Sequence, residues 1–304
     1  MKVLVTGGAG YKGVKLVKRL LEDNHQVTLL DNFMYGYEPV LHLLEFKNLE
    51  VIKWDVRNKI ENIHTFDAIF HLAGISGFPA CDANPHSAQL INVDATRQLS
   101  ESLSKDQILI NASTTSFYGK SGTICDENTF VDPVSLYGIT KYKAENIVQE
   151  RENSVSLRFA TVFGFSPKMR MDLMVNDFTY RALKERLVVL FDSYAKRTFI
   201  HVDDAADAYM FTLNNFDKMK GNVYNAGNEK SNFSKLEIAE MVKKYVDFQI
   251  IDSDIKDKDV RHFIISFDKI SSLGYEPKIT VEEGIKEMIR IFKFYDYHSF
   301  YKTI

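Results

Sequence analysis

Cysteine is scarce in this sequence, neither sign of charge dominates it, and long hydrophobic runs are missing. The 304 residues include only two cysteines, Cys81 and Cys125, which have no metal-ligand spacing. This excludes a disulfide framework and predicts reduced, buried thiols in a cytoplasmic protein without a metal site. The formal net charge of −3 gives no reason to expect nucleic acid or an anionic membrane surface as a partner.

Apolar stretches long enough to span a bilayer are absent, and the N-terminus predicts a strand, not the apolar core of a secretory signal. The sequence also lacks repeats, low-complexity tracts and an obvious linker. We therefore expect no membrane association. A length of 304 residues with 45% hydrophobic residues predicts about two domains, whose chain segments are interleaved.

Short apolar runs alternate with amphipathic helical stretches through the first half of the chain. The predicted strands are Lys2 to Val5, Gln26 to Leu30, Leu49 to Lys53, Ala68 to Leu72, Gln107 to Ala112 and Val155 to Phe159. Parallel neighbours need crossover connections, so this alternation predicts an α/β fold with a doubly wound parallel sheet. Ligands are then expected at the carboxyl ends of the strands. After Gly164 we predict a helix around Leu173 to Leu183 and strands at Val188 to Phe191, Phe199 to His201 and Asn222 to Ala226.

The first predicted strand runs into the glycine pattern Gly7-x-x-Gly10-x-x-Gly13, after which helical periodicity begins. Unpaired N–H groups at a helix N-terminus form an anion site, and glycine lets a pyrophosphate come close to the backbone. We expect these glycines to bind a dinucleotide together with Tyr11 and Lys12. Two interpretations of Lys12 remain open, a charge beside the pyrophosphate or a solvated side chain.

The second predicted strand ends at Asp31, about twenty residues beyond the glycine turn. A carboxylate at this position accepts hydrogen bonds from the adenosine ribose hydroxyls and repels a 2′-phosphate. The sequence therefore favours NAD over NADP as cofactor, with Asn32 beside Asp31 in the same site.

Tyr137-x-x-x-Lys141 predicts an acid/base device. On a helix, residues four apart share a face, so the phenol and the ammonium converge on one point. A phenol is a poor base near neutral pH unless a nearby cation stabilises its phenolate, which Lys141 provides. Beside a dinucleotide, we expect this pair to be catalytic and to contact the cofactor.

The chain resembles the extended short-chain dehydrogenases/reductases, in the group of UDP-galactose 4-epimerase and related nucleotide-sugar epimerases and dehydratases. The matching motifs are Thr6-Gly-Gly-Ala-Gly10, Asp31-Asn32, Asp55-Val56, His71-Leu-Ala-Gly74, Asn92-Val93, Ser113-Thr-Thr-Ser-Phe-Tyr-Gly119, Tyr137-x-x-x-Lys141, Leu157-Arg-Phe159, Arg197-Thr-Phe-Ile-His-Val-Asp-Asp204 and Leu273-Gly-Tyr-Glu-Pro277. Their order and spacing follow the family pattern over nearly the whole chain.

This resemblance implies a Rossmann-type NAD-binding domain at 1–165, with returns near 197–226. A smaller α/β substrate-binding domain would comprise 166–196 and 227–304. The cofactor site implied beyond the glycine turn consists of Asp55 and Val56 at the adenine, Leu72, Ala73 and Gly74 near the ribose and phosphates, and Ser113. A helix-capping role for Asp55 is the alternative. Asn92 is expected to brace the active-site helix, and His71 to be a satisfied core histidine.

The segment after the fifth predicted strand distinguishes the possible reactions. By resemblance, Thr114 hydrogen-bonds the sugar oxygen that is oxidised; the alternative is a hydroxyl that caps a loop. Related dehydratases carry Asp-Glu at the next two positions, and decarboxylases carry Glu at the second. Thr115 and Ser116 stand there instead. Hydroxyls cannot replace a carboxylate base, so neither dehydration nor decarboxylation is expected, and both residues are assigned to substrate binding.

The resemblance also implies a nucleotide-sugar substrate. Arg197 and Arg261 match the arginines that bind its diphosphate, since a guanidinium offers a fixed fork of donors. Surface ion pairs are the alternative for both. Asp172 and Leu173 match the stretch that holds the nucleotide. Thr161 stands where the galactose epimerase pattern has Asn, so that enzyme's sugar specificity is not transferred.

We therefore expect an NAD-dependent nucleotide-sugar epimerase acting at carbon 4 of the hexose through transient oxidation. A 4-keto-sugar reductase with the same three catalytic residues is the alternative enzyme. A non-catalytic NAD-binding regulatory protein is the alternative from another class, although a mere binder does not need a complete proton relay. The resemblance further implies a homodimer formed through helices near Ser87 to Leu103 and Leu136 to Gln149.

Overall fold

The computed structural model describes residues 1–119, 124–253 and 264–297. Its strands are β1 (Lys2–Thr6), β2 (Gln26–Asp31), β3 (Leu49–Lys53), β4 (Ala68–His71), β5 (Ile108–Thr114), β6 (Ile124–Cys125), β7 (Ser154–Phe159), β8 (Thr161–Phe163), β9 (Leu187–Phe191), β10 (Lys196–His201), β11 (Asn222–Ala226), β12 (Asn232–Ser234), β13 (Gln249–Ser253) and β14 (Ile264–Ile265). Its α-helices are α1 (Gly13–Glu22), α2 (Phe78–Ala83), α3 (Pro85–Gln89), α4 (Ala95–Ser102), α5 (Leu136–Gln149), α6 (Met174–Lys184), α7 (Val202–Asn214), α8 (Phe216–Met219), α9 (Lys235–Lys243), α10 (Asp268–Ser271) and α11 (Val281–Phe292).

A seven-stranded parallel sheet dominates the fold, in the order β11-β7-β5-β4-β1-β2-β3. The order reverses next to β1, between β2 and β4, which is where doubly wound sheets open a crevice for ligands. β1, β4 and β7 are almost fully buried because helices cover both faces. The predicted Rossmann-type architecture is confirmed.

Helix α1 shows how the sequence directs this packing. Its apolar residues recur at helical spacing, and Val14, Leu16, Val17, Leu20 and Leu21 are all buried in the structure. The polar face of α1 meets α7, where Lys15 and Arg19 contact Asp203 at 3.1 and 3.3 Å. α7 therefore packs on the cofactor-binding half although it lies late in the chain.

Within the described residues, the chain after β8 returns to the large sheet at β11, which pairs with β7. The segment near residue 197, which the sequence also assigns to a return, forms β10 in a separate three-stranded sheet with β8 and β12. Only Ala160 separates β7 from β8, so the chain leaves the large sheet at this residue and enters the smaller one.

A second hydrophobic cluster lies in the part of the chain after β7. It joins β8, β9, α6, α9 and α11 through Phe163, Val188, Val175, Ile238 and Ile285, all of which are buried. Within the described ranges, none of the helices combines the length and apolar character needed to cross a membrane.

Candidate active site

A cleft follows the carboxyl ends of the parallel strands, at the edge where the sequence places the functional residues. It consists of two cavities whose walls share Gly7, Gly10, Tyr35, Leu72, Gly74 and Ile75. The larger cavity contains the predicted residues Gly7, Gly10, Tyr11, Lys12, Gly13, Leu72, Gly74, Ser113, Thr114, Ser116, Tyr137, Lys141, Thr161, Asp172, Leu173 and Arg197. The other cavity adds Asp31, Asn32, Asp55, Val56 and Ala73.

The glycine turn leaves no space for side chains. Gly7 has a φ of +71°, and a Cβ on it would lie 2.6 Å from the amide nitrogen of Ala73. A Cβ on Gly13 would overlap the carbonyl oxygen of Gly7. Helix α1 begins directly after this turn, and its N-cap residue makes no side-chain capping bond. The turn thus offers a bare backbone and a helix N-terminus to an anion, which fits a dinucleotide pyrophosphate.

Asp31, at the end of β2, forms hydrogen bonds with the glycine turn and with the loop that follows β2. Its carboxylate accepts hydrogen bonds from the amides of Ala9, at 3.1 Å, and Phe33, at 2.9 Å. Burial raises the pKa of Asp31, while these amides oppose the shift. The position in the second cavity fits a ribose partner.

Asp55, in the same cavity, forms an ion pair with Arg57, with an Oδ2 to Nη2 distance of 2.6 Å. This hydrogen bond lowers the pKa of Asp55 and keeps the carboxylate charged beside the cofactor site.

Helix α5 brings Tyr137 and Lys141 into the larger cavity opposite the glycine turn. Ser135 begins the helix by accepting a hydrogen bond from the amide of Gly138 at 3.2 Å. Lys141 lies one turn after Tyr137 and is buried. Burial lowers the pKa of Lys141 to about 8, although the Glu145 carboxylate opposes the shift.

A buried polar network fixes the orientation of α5. Glu145 is 1% exposed and pairs with Arg158 of β7 at 2.7 Å. Ser113 of β5 also donates to Glu145, at 2.6 Å. The Ser113 hydroxyl, which the sequence assigns to the cofactor, is therefore engaged with the helix although the residue lines the cavity.

Asn92 braces the same helix from its other side. Its amide donates to the hydroxyl of Thr140 at 3.1 Å and to the carbonyl of Ile75 at 3.0 Å. His71 lies between the hydroxyls of Thr6 and Thr96, at 2.8 and 2.9 Å. Burial lowers the pKa of His71 to about 3, so the ring is neutral, and its predicted role as a core histidine is confirmed.

The hydroxyls after β5 do not all face the cleft. Thr114 accepts a hydrogen bond from the amide of Ser116 at 3.1 Å and donates to the Ser116 hydroxyl at 2.9 Å. Thr114 therefore caps a turn, as the alternative interpretation holds, and also lines the cavity. Thr115 instead donates to the carbonyl of Phe159 at 3.2 Å and is not part of the cavity wall.

Two cations in the wall of the larger cavity, Lys168 and Arg170, were not predicted from the sequence. Arg170 forms an ion pair with Asp172 and donates to the hydroxyl of Ser76 at 3.0 Å, so it spans the two sides of the cleft. Burial alone would raise the pKa of Asp172, but Arg170 outweighs it and lowers this pKa. Lys168 lies 4.5 Å from the ring centroid of Tyr35, and burial lowers the pKa of Lys168 to about 8. In the sequence, charged residues at positions 168, 170 and 172 alternate with methionines, and this pattern could have indicated a charged face. Arg261 lies outside the described residues.

The side chain of Lys12 does not extend into solvent. Its ammonium nitrogen lies 4.1 Å from the ring centroid of Phe159 and 5.8 Å from that of Tyr209, and both rings are buried. Burial lowers the pKa of Lys12 to about 7, and the charges of Lys141 and Arg170 add to the shift. The amine therefore points into the cleft.

The fold and the site together define a dinucleotide-dependent enzyme of the extended short-chain dehydrogenase/reductase type. Residues 3–227 match the model of the NAD dependent epimerase/dehydratase family. The chain belongs to this family, and NAD is its cofactor.

Individual relatives agree with this assignment. The chain is 29% identical to a putative UDP-glucose 4-epimerase of Methanocaldococcus jannaschii over 96% of this chain and 98% of that protein. The crystal structure of UDP-glucuronic acid 4-epimerase from Bacillus cereus, in complex with UDP-glucuronic acid and NAD, is similar with a TM-score of 0.83 and 25% identity, covering 96% of this chain and 99% of that one. UDP-glucose 4-epimerase from Thermotoga maritima, with UDP-glucose, gives a TM-score of 0.85 and 26% identity over 96% and 99%.

Proposed function

We propose that this protein is an NAD-dependent UDP-hexose 4-epimerase. The observation that carries the proposal is the meeting of Thr114, Tyr137 and Lys141 with the glycine turn in one cavity. A dinucleotide site alone is compatible with many activities, whereas this combination supplies a proton acceptor beside a hydride acceptor. The similarity to solved UDP-sugar 4-epimerases over 96% of the chain adds the substrate class.

The residues present fit NAD. The glycine turn and the start of α1 would hold the pyrophosphate, and Asp31 the adenosine ribose. When bound, NAD accepts a hydride from the sugar and returns it. Lys141 would also contact the nicotinamide ribose, as a buried amine one helical turn from Tyr137.

The proton moves through Tyr137. Its phenolate takes the proton of the sugar 4-hydroxyl, and the Lys141 ammonium stabilises that phenolate. The Thr114 hydroxyl, which donates to Ser116 in this structure, would turn to donate to the same sugar oxygen as that oxygen becomes a ketone. Inversion requires the ketone to turn its other face to the cofactor before Tyr137 returns the proton.

The substrate diphosphate is assigned to the cationic wall of the cleft. Arg197 enters from β10, and Lys168 and Arg170 enter from the segment before α6. These three residues belong to the substrate-binding half, so they hold the nucleotide while leaving the hexose free to rotate. Ser116, Thr161, Asp172 and Leu173 are assigned to contacts with the same ligand.

Thr115 and Ser116 stand where a carboxylate would be needed for elimination chemistry, which supports simple epimerisation. We retain the 4-keto-sugar reductase as the second candidate, because the same three residues would perform a single hydride and proton transfer. We also propose a cytoplasmic homodimer built on the surface of α4 and α5, which sedimentation equilibrium would test.

The function is tested by incubating the purified protein with UDP-glucose, UDP-glucuronic acid and matched GDP- and CDP-hexoses, without added NADH. We expect a UDP-sugar to equilibrate with its carbon-4 epimer, observed by NMR. Turnover that strictly requires stoichiometric NADH would support the reductase instead. Nucleotide-sugar binding without turnover across the panel would contradict the epimerase assignment, and the same result with UDP-4-keto-hexose and NADH would contradict the reductase.

A further inference from the structure

Lys12 places an amine at a point of the cleft where the proposed mechanism does not use one. Its backbone belongs to the glycine turn, and its side chain crosses to the end of β7, where the ammonium nitrogen lies over the Phe159 ring at 4.1 Å. Lys15, three residues further on, instead pairs with Asp203 at 3.1 Å. Lys12 is thus directed into the cavity that contains Tyr137 and Lys141.

The surroundings of Lys12 are cationic or aromatic. Lys141 of α5 and Arg170 of the β8–α6 segment both act on it with the same sign of charge. Phe159 of β7 and Tyr209 of α7 supply rings. Among the described residues, no carboxylate forms an ion pair with Lys12, and Asp172 of the same cavity is already paired with Arg170.

Lys12 is half-buried. A partly desolvated amine without a carboxylate partner is costly, and an anionic ligand reduces that cost. The proposed reaction changes the ligand charge within this cleft. The sugar C4–H bond breaks and its electron pair leaves as hydride to NAD, while the hydroxyl proton goes to Tyr137. NADH therefore carries one more negative charge than NAD.

We infer that Lys12 makes the cleft select the reduced cofactor, so that NADH formed during the reaction is held more tightly than NAD. The inference rests on the proposed function, because it assumes that NAD occupies this cleft. Its benefit is retention: an epimerase must keep NADH until the hydride is returned. Cation–π attraction to the rings of Phe159 and Tyr209 holds the amine in the cleft, so that its charge acts on the bound cofactor in both redox states.

The selection is expected to depend on pH. Burial lowers the pKa of Lys12 to about 7, so in the ligand-free cleft the amine is charged below neutral pH and loses its proton above it. Binding of NADH then recruits a proton. Burial also lowers the pKa of Lys141 to about 8, so part of any pH effect belongs to Lys141. Comparison with a Lys12 variant separates the two contributions.

The test is the ratio of the dissociation constants of NAD and NADH, measured calorimetrically at pH 6 and pH 8.5 with the full chain freed of cofactor. Lys12→Met removes the charge and keeps the aliphatic stem, and Lys12→Gln removes it while keeping a polar end. Lys15→Met is the matched control on the same helix. Repeating the titrations in buffers of different ionisation enthalpy counts the protons taken up.

We expect the parent to prefer NADH and both Lys12 variants to lose roughly tenfold of that preference at pH 6, the effect of one charge about 10 Å away at an effective dielectric constant of about 20. Proton uptake on NADH binding at pH 8.5 should fall in the variants, and Lys15→Met should behave as the parent. An unchanged ratio in folded Lys12→Met and Lys12→Gln would overturn the inference while leaving the epimerase proposal intact. A parent that binds neither cofactor form would contradict the proposed function, and this inference with it.

Discussion

Tyr137 is the residue on which the proposed chemistry depends most. Tyr137→Phe keeps the ring and deletes the oxygen that carries the proton, so we expect turnover to fall at least the roughly hundredfold typical of a lost acid/base group. Folding and NAD affinity should persist, measured by circular dichroism and calorimetry. Tyr142→Phe, on the same helix with its ring against Phe117, is the control and should retain activity. Near-parental turnover in Tyr137→Phe would remove the catalytic assignment.

Lys12 also has a consequence for stability. Its pKa falls from 10.5 in the unfolded chain to about 7, chiefly because of burial, so the unfolded state holds the proton more strongly. The amine therefore destabilises the ligand-free fold fully below pH 7, and the penalty fades as pH rises toward 10.5.

Lys12→Met should accordingly raise the Tm of cofactor-free protein by roughly 2 °C or more at pH 7, with a smaller gain at pH 9. Thermal unfolding at several pH values checks this. Lys15→Met removes a lysine that is paired with Asp203 and should give no such gain. A lower Tm in Lys12→Met at pH 7 would show that the charged amine does not destabilise the cofactor-free fold.

Some residues of the site could be predicted from the sequence and others could not. The glycine turn, Tyr137 and Lys141 were predictable because backbone shape and helical spacing are local properties. The direction of a hydroxyl is not local: Thr115 faces the carbonyl of Phe159, which is distant in sequence. The roles of Arg170 and Lys168 could not be predicted, because their contacts with Ser76 and Tyr35 join segments that are distant in sequence.

At the scale of elements, α5 is held in place by charge. Arg158→Met would leave the Glu145 carboxylate buried without its partner, so we expect a loss of about 3 to 5 kcal/mol in the free energy of unfolding. Urea denaturation measures it. The double variant with Glu145→Gln should recover part of the loss, because no buried charge then remains.

Lys18→Met breaks the exposed pair between Lys18 and Glu22 of α1, which are 3.7 Å apart, and serves as the control. It should cost less than about 1 kcal/mol, the usual value of a surface pair. An equally small loss in Arg158→Met would mean that the buried pair does not fix the helix.

Most strands of the large sheet could be read from the sequence because a parallel strand covered on both faces is a continuous apolar run. β2, β3 and β11 begin at the predicted residues. Sheet membership was less accessible. The sequence predicts a strand at Phe199 to His201 and a return to the large sheet near residue 197. The structure forms this strand as β10, yet it pairs with β8 and β12, because pairing partners depend on the path of the whole chain.

At the scale of the molecule, we propose that the cofactor and the substrate bind to different walls of the cleft. If Arg197 holds the substrate diphosphate, Arg197→Ala should weaken UDP binding by about 1.5 to 3 kcal/mol and leave NAD binding unchanged. Calorimetry with each ligand checks the split. Arg181→Ala, on exposed α6 surface paired with Asp177, is the control. Unchanged UDP affinity in Arg197→Ala would return this residue to a structural role.

The central claim is that carbon 4 is oxidised and reduced by one retained cofactor. The direct measurement uses a UDP-hexose deuterated at carbon 4, incubated with the protein in ordinary water without added NAD or NADH, and mass analysis of the epimer formed. We expect the epimer to keep the deuterium at carbon 4, because the transferred label leaves and returns within one cleft. Loss of the label to solvent, or no epimer from any UDP-hexose that binds, would contradict it.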